Sequence, residues 1–257
     1  MSQRRRFDPL EVACIGLFLL VVGFGAGRWY VLTYHETFVS PRDVQWLRDK
    51  YGPQKWSENA EEWMIRDFFQ DVRDGVFLDV GSADARKGNN TYFLESQLGW
   101  SGIAVDALAE YGPSYERLRP RTRFLALFVG DHSADNATIY VSRRFEQYSS
   151  AAREFTADRA SGDVATRQVP SITLNDLLSQ AGISHIDFMS MDIELSEPKA
   201  LAGFDLPRFR PRLVCIEAHP ETRQAILDYF VARGYTVVGK YLRLDQTNLW
   251  FTPLLTR

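Results

Sequence analysis

Cysteine is nearly absent. Cys14 and Cys215 are the only two, each lies in an apolar run, and a disulfide framework is excluded. Charge of one sign is also missing: 30 Lys and Arg against 33 Asp and Glu leave a net charge of −3. The basic residues are scattered rather than gathered into a stripe, so the electrostatic footprint of a nucleic-acid binder is lacking. No H-E-x-x-H motif or zinc spacing occurs, and His35, His132 and His185 have no sequence neighbours suggesting ligation, so no metal is expected. The G-x-G-x-x-G loop that seats a pyrophosphate on a helix N-terminus is missing too, which argues against a nicotinamide enzyme. There is no internal repeat. What remains is 257 residues with 45% hydrophobic content, enough for one substantial core and one site. The expected partners are small molecules, lipids or proteins, with no nucleic acid.

No uncharged run reaches the roughly 20 residues of a comfortable membrane span. Residues 12–27, VACIGLFLLVVGFGAG, come near it. Arg4, Arg5 and Arg6 precede this run and Trp29 and Tyr30 follow it, which favours a retained anchor over a cleaved signal peptide. We therefore expect residues 1–30 to be an N-terminal membrane helix, 31–75 a helical lead-in and 76–257 one Rossmann-like domain. Membrane contact, possible membrane-complex partners and a single-anchor membrane location follow. The arginine triplet argues for that end inside, whereas an intracellular cofactor, argued below, places the domain on the cytoplasmic side; the expectation leans to the latter.

Within the lead-in, residues 41–51 and a stretch after Ser57 show helical spacing, with Gly52 and Gly75 as stops. From Val76 onward short β-rich runs alternate with helical stretches, the pattern of a doubly wound, mostly parallel sheet. The strands expected are 76–80, 102–106, 123–129, 186–192 and 212–218, with 138–141 as an inserted edge strand and the polar segment 142–168 as a mobile loop over the site. Thr173 and Asp176 form a capping box before LNDLLSQ, and Pro220 opens a later helix. Residues 236–244 and 248–252 are too close in sequence for a parallel crossover, so the sheet should end in an antiparallel hairpin.

The chemistry concentrates at strand ends. In VFLDVGSADARKGNNTYFLE a buried strand ends at Asp79, turns at Gly81 and reaches a helix capped by Asn89 or Asn90. A glycine there lets a ligand approach the backbone in the crevice beyond the strands. Asp79 suits a cationic amino group, or else caps nearby amides. Asp106 closes GIAVDA 27 residues later and suits vicinal ribose hydroxyls. Asp131, after FLALFVG, suits an adenine amino group, or is a solvated turn residue. Asp192 and Glu194 flank one residue at a strand end and would share the tasks of general base and orienting group, or cap the following helix. His219 is either a further catalytic group or an N-cap.

The motifs DVGSAD, NNTYFLE and LGWSGIAVDA, followed by IDFMSMDIELSEPKALAGFD, resemble the two signatures of FkbM-type methyltransferases over residues 76 to about 252. The resemblance implies a class I methyltransferase fold, S-adenosyl-L-methionine as cofactor and transfer of a methyl group to a hydroxyl on a carbohydrate or natural-product-like acceptor. It implies that Asp79, Gly81 and Asp106 bind the cofactor and that Asp192 and Glu194 sit beside the transferred methyl; with the neighbouring and strand-end residues the expected cofactor-binding set is Asp79, Gly81, Ser82, Asp84, Asp106, Ala107 and Asp131, and the expected catalytic set Asp192, Glu194 and His219. Ala85 and Leu195 depart from it, each standing where glycine is common. These departures, with the anchor, leave a second expectation: an inactive methyltransferase-like accessory subunit of a membrane complex.

Overall fold

Apolar runs too short for helices and too continuous for half-exposed strands build a sheet buried on both faces. The structure, a computed structural model, describes residues 41–142, 149–159 and 163–254, all within one compact unit, Val39–Arg257. Helices α1 (Pro41–Tyr51) and α2 (Glu61–Phe69) lead into β1 (Val76–Val80), α3 (Tyr92–Leu98), β2 (Ser101–Asp106), α4 (Gly112–Leu118) and β3 (Thr122–Ala126). Next come β4 (Phe128–Val129), β5 (Ala134–Ser142), α5 (Arg153–Arg159) and β6 (Val164–Ile172). The chain continues through α6 (Leu174–Gln180), β7 (Phe188–Met191), α7 (Glu197–Ala202), α8 (Leu206–Phe209), β8 (Leu213–Glu217), α9 (Arg223–Val231), β9 (Tyr235–Val237) and β10 (Asn248–Pro253).

Seven strands form the main sheet in the order β3-β2-β1-β7-β8-β10-β9. The pairings from β3 through β8 are parallel, and β10 runs antiparallel to both β8 and β9. The chain winds outward from β1 through β2 and β3, then returns to the other side of β1 with β7. The switch point of this doubly wound sheet therefore lies between β1 and β7, where such folds open a crevice.

Side-chain alternation divides the core. Phe77, Phe188, Leu213 and Cys215 face one side, where Trp63, Met64 and Phe69 of α2 pack with Trp100 and Trp250. Leu78, Met189, Val214 and Ile216 face the other, against α6, α8 and α9. Each fully buried Leu or Phe contributes about 1.5–3 kcal/mol relative to exposure. The two apolar layers thus hold the strand ends, and the polar groups on them, in fixed register.

Several expectations change. The run 123–129 is not one strand: it breaks at Leu127, and Phe128–Val129 joins a separate three-stranded sheet in the order β4-β6-β5. The edge strand expected at 138–141 is the longer β5, and the loop expected at 142–168 holds α5 and the start of β6, with 143–148 and 160–162 outside the described residues. Gly75 does not stop α2. Left-handed Gln70 does, and a Cβ at Gly75 would lie 2.6 Å from the Trp100 ring, so glycine there serves close packing. Pro220 precedes α9, whose N-cap is Thr222. The late run 236–244 is extended only to Val237, and β9 and β10 do pair antiparallel. The Thr173 cap is present, its Oγ1 accepting from the Asp176 amide.

The membrane anchor is also corrected, together with the membrane location and cytoplasm-facing orientation inferred from it. Among the described residues no helix is long and apolar enough to cross a membrane. The run at 12–27 and the proposed 1–30 helix lie outside the described residues.

Candidate active site

The loop after β1 is shaped by close backbone approach. Gly81 has φ +75°, and a Cβ on it would fall 1.7 Å from the carbonyl oxygen of Asp192, so only glycine lets the ends of β1 and β7 meet. The amides of Gly81 and Ser82 donate to Val105 O at 2.8 and 3.3 Å, which ties the loop to β2. Asp106 completes the turn. Its Oδ2 accepts from the Ala83 amide at 3.0 Å and its Oδ1 from Leu108 at 2.8 Å, with Ala83 left-handed at φ +45°. Burial pushes the Asp106 carboxyl up to about 6 against these two donors. Each oxygen keeps a second lone pair for a ligand hydroxyl.

Beneath the loop lies a buried polar network that the sequence did not announce. Asp79 is 4% exposed and accepts from Thr91 Oγ1 at 2.7 Å and from the Asn89 amide at 3.3 Å. The Asn89 side chain also donates to Ser82 O and Asp84 O, fastening the loop from inside. Arg119, 1% exposed, donates to Glu95, Thr91, Asn89 and the Ala85 carbonyl. Asp79 thus helps position the loop from below through its Oδ2, the oxygen that accepts both of these bonds. Burial still raises it. Asp84 is likewise a turn former, its Oδ1 accepting from Arg86 and Lys87 amides. Asn89 does not cap α3 through its side chain; the N-cap is Thr91, whose amide Asn89 Oδ1 accepts, while Asn90 donates to Ser190.

Ser82 is different. Its hydroxyl is buried, 5% exposed as a residue, and has no hydrogen-bond partner in the protein. Ala107 follows Asp106 half-buried at the edge of the second sheet, beside Leu108 and Ile139. Asp131 is corrected. Because the strand breaks at Leu127, the tip of β3 is Ala126, and Asp131 is carried away with β4 to pair with exposed His132 at 2.6 Å. Ala85 is fully buried against Ala104 and Tyr115 and is not among the left-handed residues, so its Cβ is accommodated.

Across the switch point stands an acidic cluster with one imidazole. Asp192 leaves β7 just after its amide donates to Val80 O at 2.9 Å. It keeps solvent-exposed surface. Burial, then the charges of Glu217 and Glu194, raises its carboxyl well above the ordinary range. Glu194 reaches the cluster by a turn rather than by strand alternation, since it and Leu195 are left-handed at φ +52° and +72°. His219 Nε2 lies 3.4 Å from Glu194 Oε2 and 3.0 Å from Glu217 Oε2. Those two carboxylates push the imidazole up to about 10. His219 is therefore held as an imidazolium at neutral pH, not as a side-chain N-cap and not as a base. Neither Asp192 nor Glu194 caps α7, whose N-cap is Ser196 with no side-chain cap bond; Glu197 instead ties the preceding turn to the helix, accepting from the Ile193 amide at 3.1 Å. The inserted segment walls this side: Ser150 Oγ donates to the Glu194 carbonyl, and the Phe155 ring stands edge-on to His219 at 5.3 Å.

Asp192, Glu194 and His219 come together; Asp106, Gly81 and Ser82 form the neighbouring wall; Asp131 stands apart. Glu197 and Glu217 belong to the cluster as well. Glu217, which ends the same strand run as His219, was expected from the sequence to face this crevice, whereas Glu197 showed itself only as a residue at a helix start. A shallow depression at the opposite, N-terminal end of the strands, around Gly102 and Arg121, carries no such cluster.

The left-handed Leu195 allows a direct check. Leu195→Gly should relieve about 1–2 kcal/mol of backbone strain while losing partial burial and adding about 0.5–1 kcal/mol of chain flexibility. The net change in urea unfolding is expected within about 1 kcal/mol of zero; a loss beyond about 2 kcal/mol would show that the side chain's packing dominates.

A family model described as Methyltransferase FkbM domain matches residues 79–237, more than half of the chain. Three solved structures give remote likenesses. A precorrin-6y C5,15-methyltransferase from Geobacter metallireducens is 10% identical, with TM-score 0.41, over 74% of this chain and 78% of its own. A 1,6-didemethyltoxoflavin-N1-methyltransferase from Burkholderia thailandensis, holding S-adenosylhomocysteine, is 14% identical, with TM-score 0.36, over 98% and 91%. A putative RNA methyltransferase from Pyrococcus horikoshii is 12% identical, with TM-score 0.41, over 84% and 100%. At such scores the strand order of this chain is the better guide to its architecture. No curated protein matches.

Proposed function

The chain belongs to the FkbM methyltransferase family, and from that membership we propose that it is an S-adenosyl-L-methionine-dependent O-methyltransferase acting on a hydroxyl of a carbohydrate or natural-product-like small molecule. The observation that carries this reading is the juxtaposition, across the β1/β7 switch point, of the Gly81 loop with its Asp106 carboxylate and the Asp192, Glu194 and His219 cluster.

The residues suit the cofactor. Ser82 Oγ is a buried hydroxyl lacking a partner, and Asp106 has spare lone pairs for vicinal ribose hydroxyls. Asp79, Asn89 and Arg119 keep the loop in place from below. When bound, the cofactor supplies an electrophilic methyl group on a sulfonium. Methyl transfer needs in-line approach and exclusion of water, so positioning by the walls of the crevice should supply much of the rate. Among the acids, Glu194 is the suitable proton acceptor. Burial leads the causes that raise its carboxyl, bringing it nearer the working pH, while its His219 contact opposes that rise. Burial and the neighbouring carboxylates bias Asp192 toward its protonated form, in which it can donate a hydrogen bond to the acceptor oxygen. His219 as an imidazolium keeps the two glutamates from repelling one another.

Calorimetric titration of the full chain with S-adenosyl-L-methionine tests the reading, and the pH dependence sharpens the test. A carboxyl raised on folding favours the native state at low pH, and that contribution fades as pH climbs from about 4 through about 6. Ribose hydroxyls need the ionised form, so affinity should fall roughly tenfold per pH unit below about 6. Asp106→Asn should bind weakly and without that slope. Absence of binding at pH 8 in a folded protein sinks the proposal.

A further inference from the structure

The acid cluster holds two carboxylates, Glu197 and Glu217, each with one oxygen outside any hydrogen bond of the protein. Glu217 is 8% exposed, at the end of β8, and its Oε2 has no hydrogen-bond partner. The His219 nitrogen approaches to 3.0 Å without the alignment of a hydrogen bond. A buried carboxylate oxygen whose close contact is an ion pair out of line for a hydrogen bond keeps its lone pairs available to a further partner. Glu194, Glu217 and His219 each offer one ligand atom, and the three atoms lie within 4.8 Å of one another. Charge points the same way: Asp192, Glu194, Glu197 and Glu217 crowd a space where His219 and Arg159 are the cations acting on them. Glu197, fully buried, also keeps one oxygen unpartnered.

We propose that Glu194, Glu217 and His219 form a divalent-cation site, of the Mn2+ class, on the acceptor side of the crevice. Two carboxylate oxygens with one imidazole nitrogen suit a cation that accepts both oxygen and nitrogen donors; sulfur ligands are missing, and the mixed set does not meet the tetrahedral nitrogen and sulfur preference of structural zinc. To ligate, His219 gives up the proton it carries in the metal-free protein, so binding at neutral pH releases about one proton. Beside Asp192 the ion keeps open positions for an acceptor oxygen, whose hydroxyl proton it makes easier to remove. Only this last step rests on the methyltransferase reading; the binding of the ion does not.

The test uses the full chain, stripped with chelator and titrated with MnCl2 while the free Mn2+ resonance is followed by electron paramagnetic resonance. One ion per chain is expected, with a nitrogen coupling in the pulsed spectrum from His219. Glu217→Gln and His219→Gln should each weaken binding by more than the roughly ten- to hundredfold that loss of an outer partner costs. His219→Gln should also erase the nitrogen coupling, so the test survives if Glu217→Gln fails to fold. Stripped protein that binds S-adenosyl-L-methionine but no Mn2+ overturns the ion site and spares the enzyme reading. Mn2+ binding without cofactor binding does the reverse. Mn2+ binding unchanged in both variants, or a spectrum without nitrogen coupling in the parent chain, also overturns the site.

Discussion

Arg119→Ala is expected to lower the unfolding free energy by about 3–5 kcal/mol. The guanidinium is 1% exposed, spans four acceptors at 2.7–3.1 Å and lies over the rings of Tyr115 and Phe77 at 5.5 and 5.6 Å. Its removal strands Glu95, itself 5% exposed, and frees the Ala85 carbonyl and Thr91 hydroxyl that hold the cofactor loop. Because the pair is buried, truncating one partner leaves a charge without compensation, which is costlier than the pair itself is stabilising. Arg119→Lys should recover only part of the loss, since an ammonium cannot reproduce a planar fork that reaches four acceptors. Urea unfolding of the three proteins measures this, and an alanine variant within about 1 kcal/mol of the parent would show that the network is not what holds the loop.

Gly81→Ala is expected to be nearly as damaging, by about 3 kcal/mol or more, and to abolish cofactor binding in whatever fraction still folds. Two costs add there. The left-handed backbone penalises any Cβ by about 1–2 kcal/mol, and the new atom meets the Asp192 carbonyl, which is backbone and cannot swing aside. Gly182→Ala separates the two, since Gly182 shares the left-handed φ, +70°, but has nothing within 4 Å of the new methyl. It should lose only the first cost. Equal losses in the two variants, read by thermal unfolding, would refute the collision at the switch point.

How much of this was legible in the sequence depended on whether a signal was local. The strands at 76–80, 101–106 and 213–217 could be read because continuous apolar runs bounded by polar turns mark buried strands, and Thr173 because an N-cap is settled within four residues. The break at Leu127 was not legible: Phe128 and Val129 are as apolar as the strand they leave, and their transfer is decided by Ser171 and Ile172, more than 40 residues away. Asp79 shows the same limit. Its position was legible, but its partners Asn89 and Thr91, and Arg119 behind them, meet only after the helices fold back. Asp192, Glu194, Glu217 and His219 were foreseeable as strand-end groups. That Glu197 joins them, and that His219 is held charged, follows from the parallel placement of β7 beside β8.

The position of β10 sets a schedule for synthesis. Among the described residues β10 is the last strand in chain order, yet it fills an interior slot between β8 and β9, and β9 has no other described neighbour in the main sheet. Until residues 248–253 emerge, a nascent chain carries an open, apolar edge on β8 and an unattached β9, both templates for pairing with the wrong molecule. Chains truncated before Asn248 should therefore be cut by protease throughout the β8 to β9 region, whereas the full chain resists.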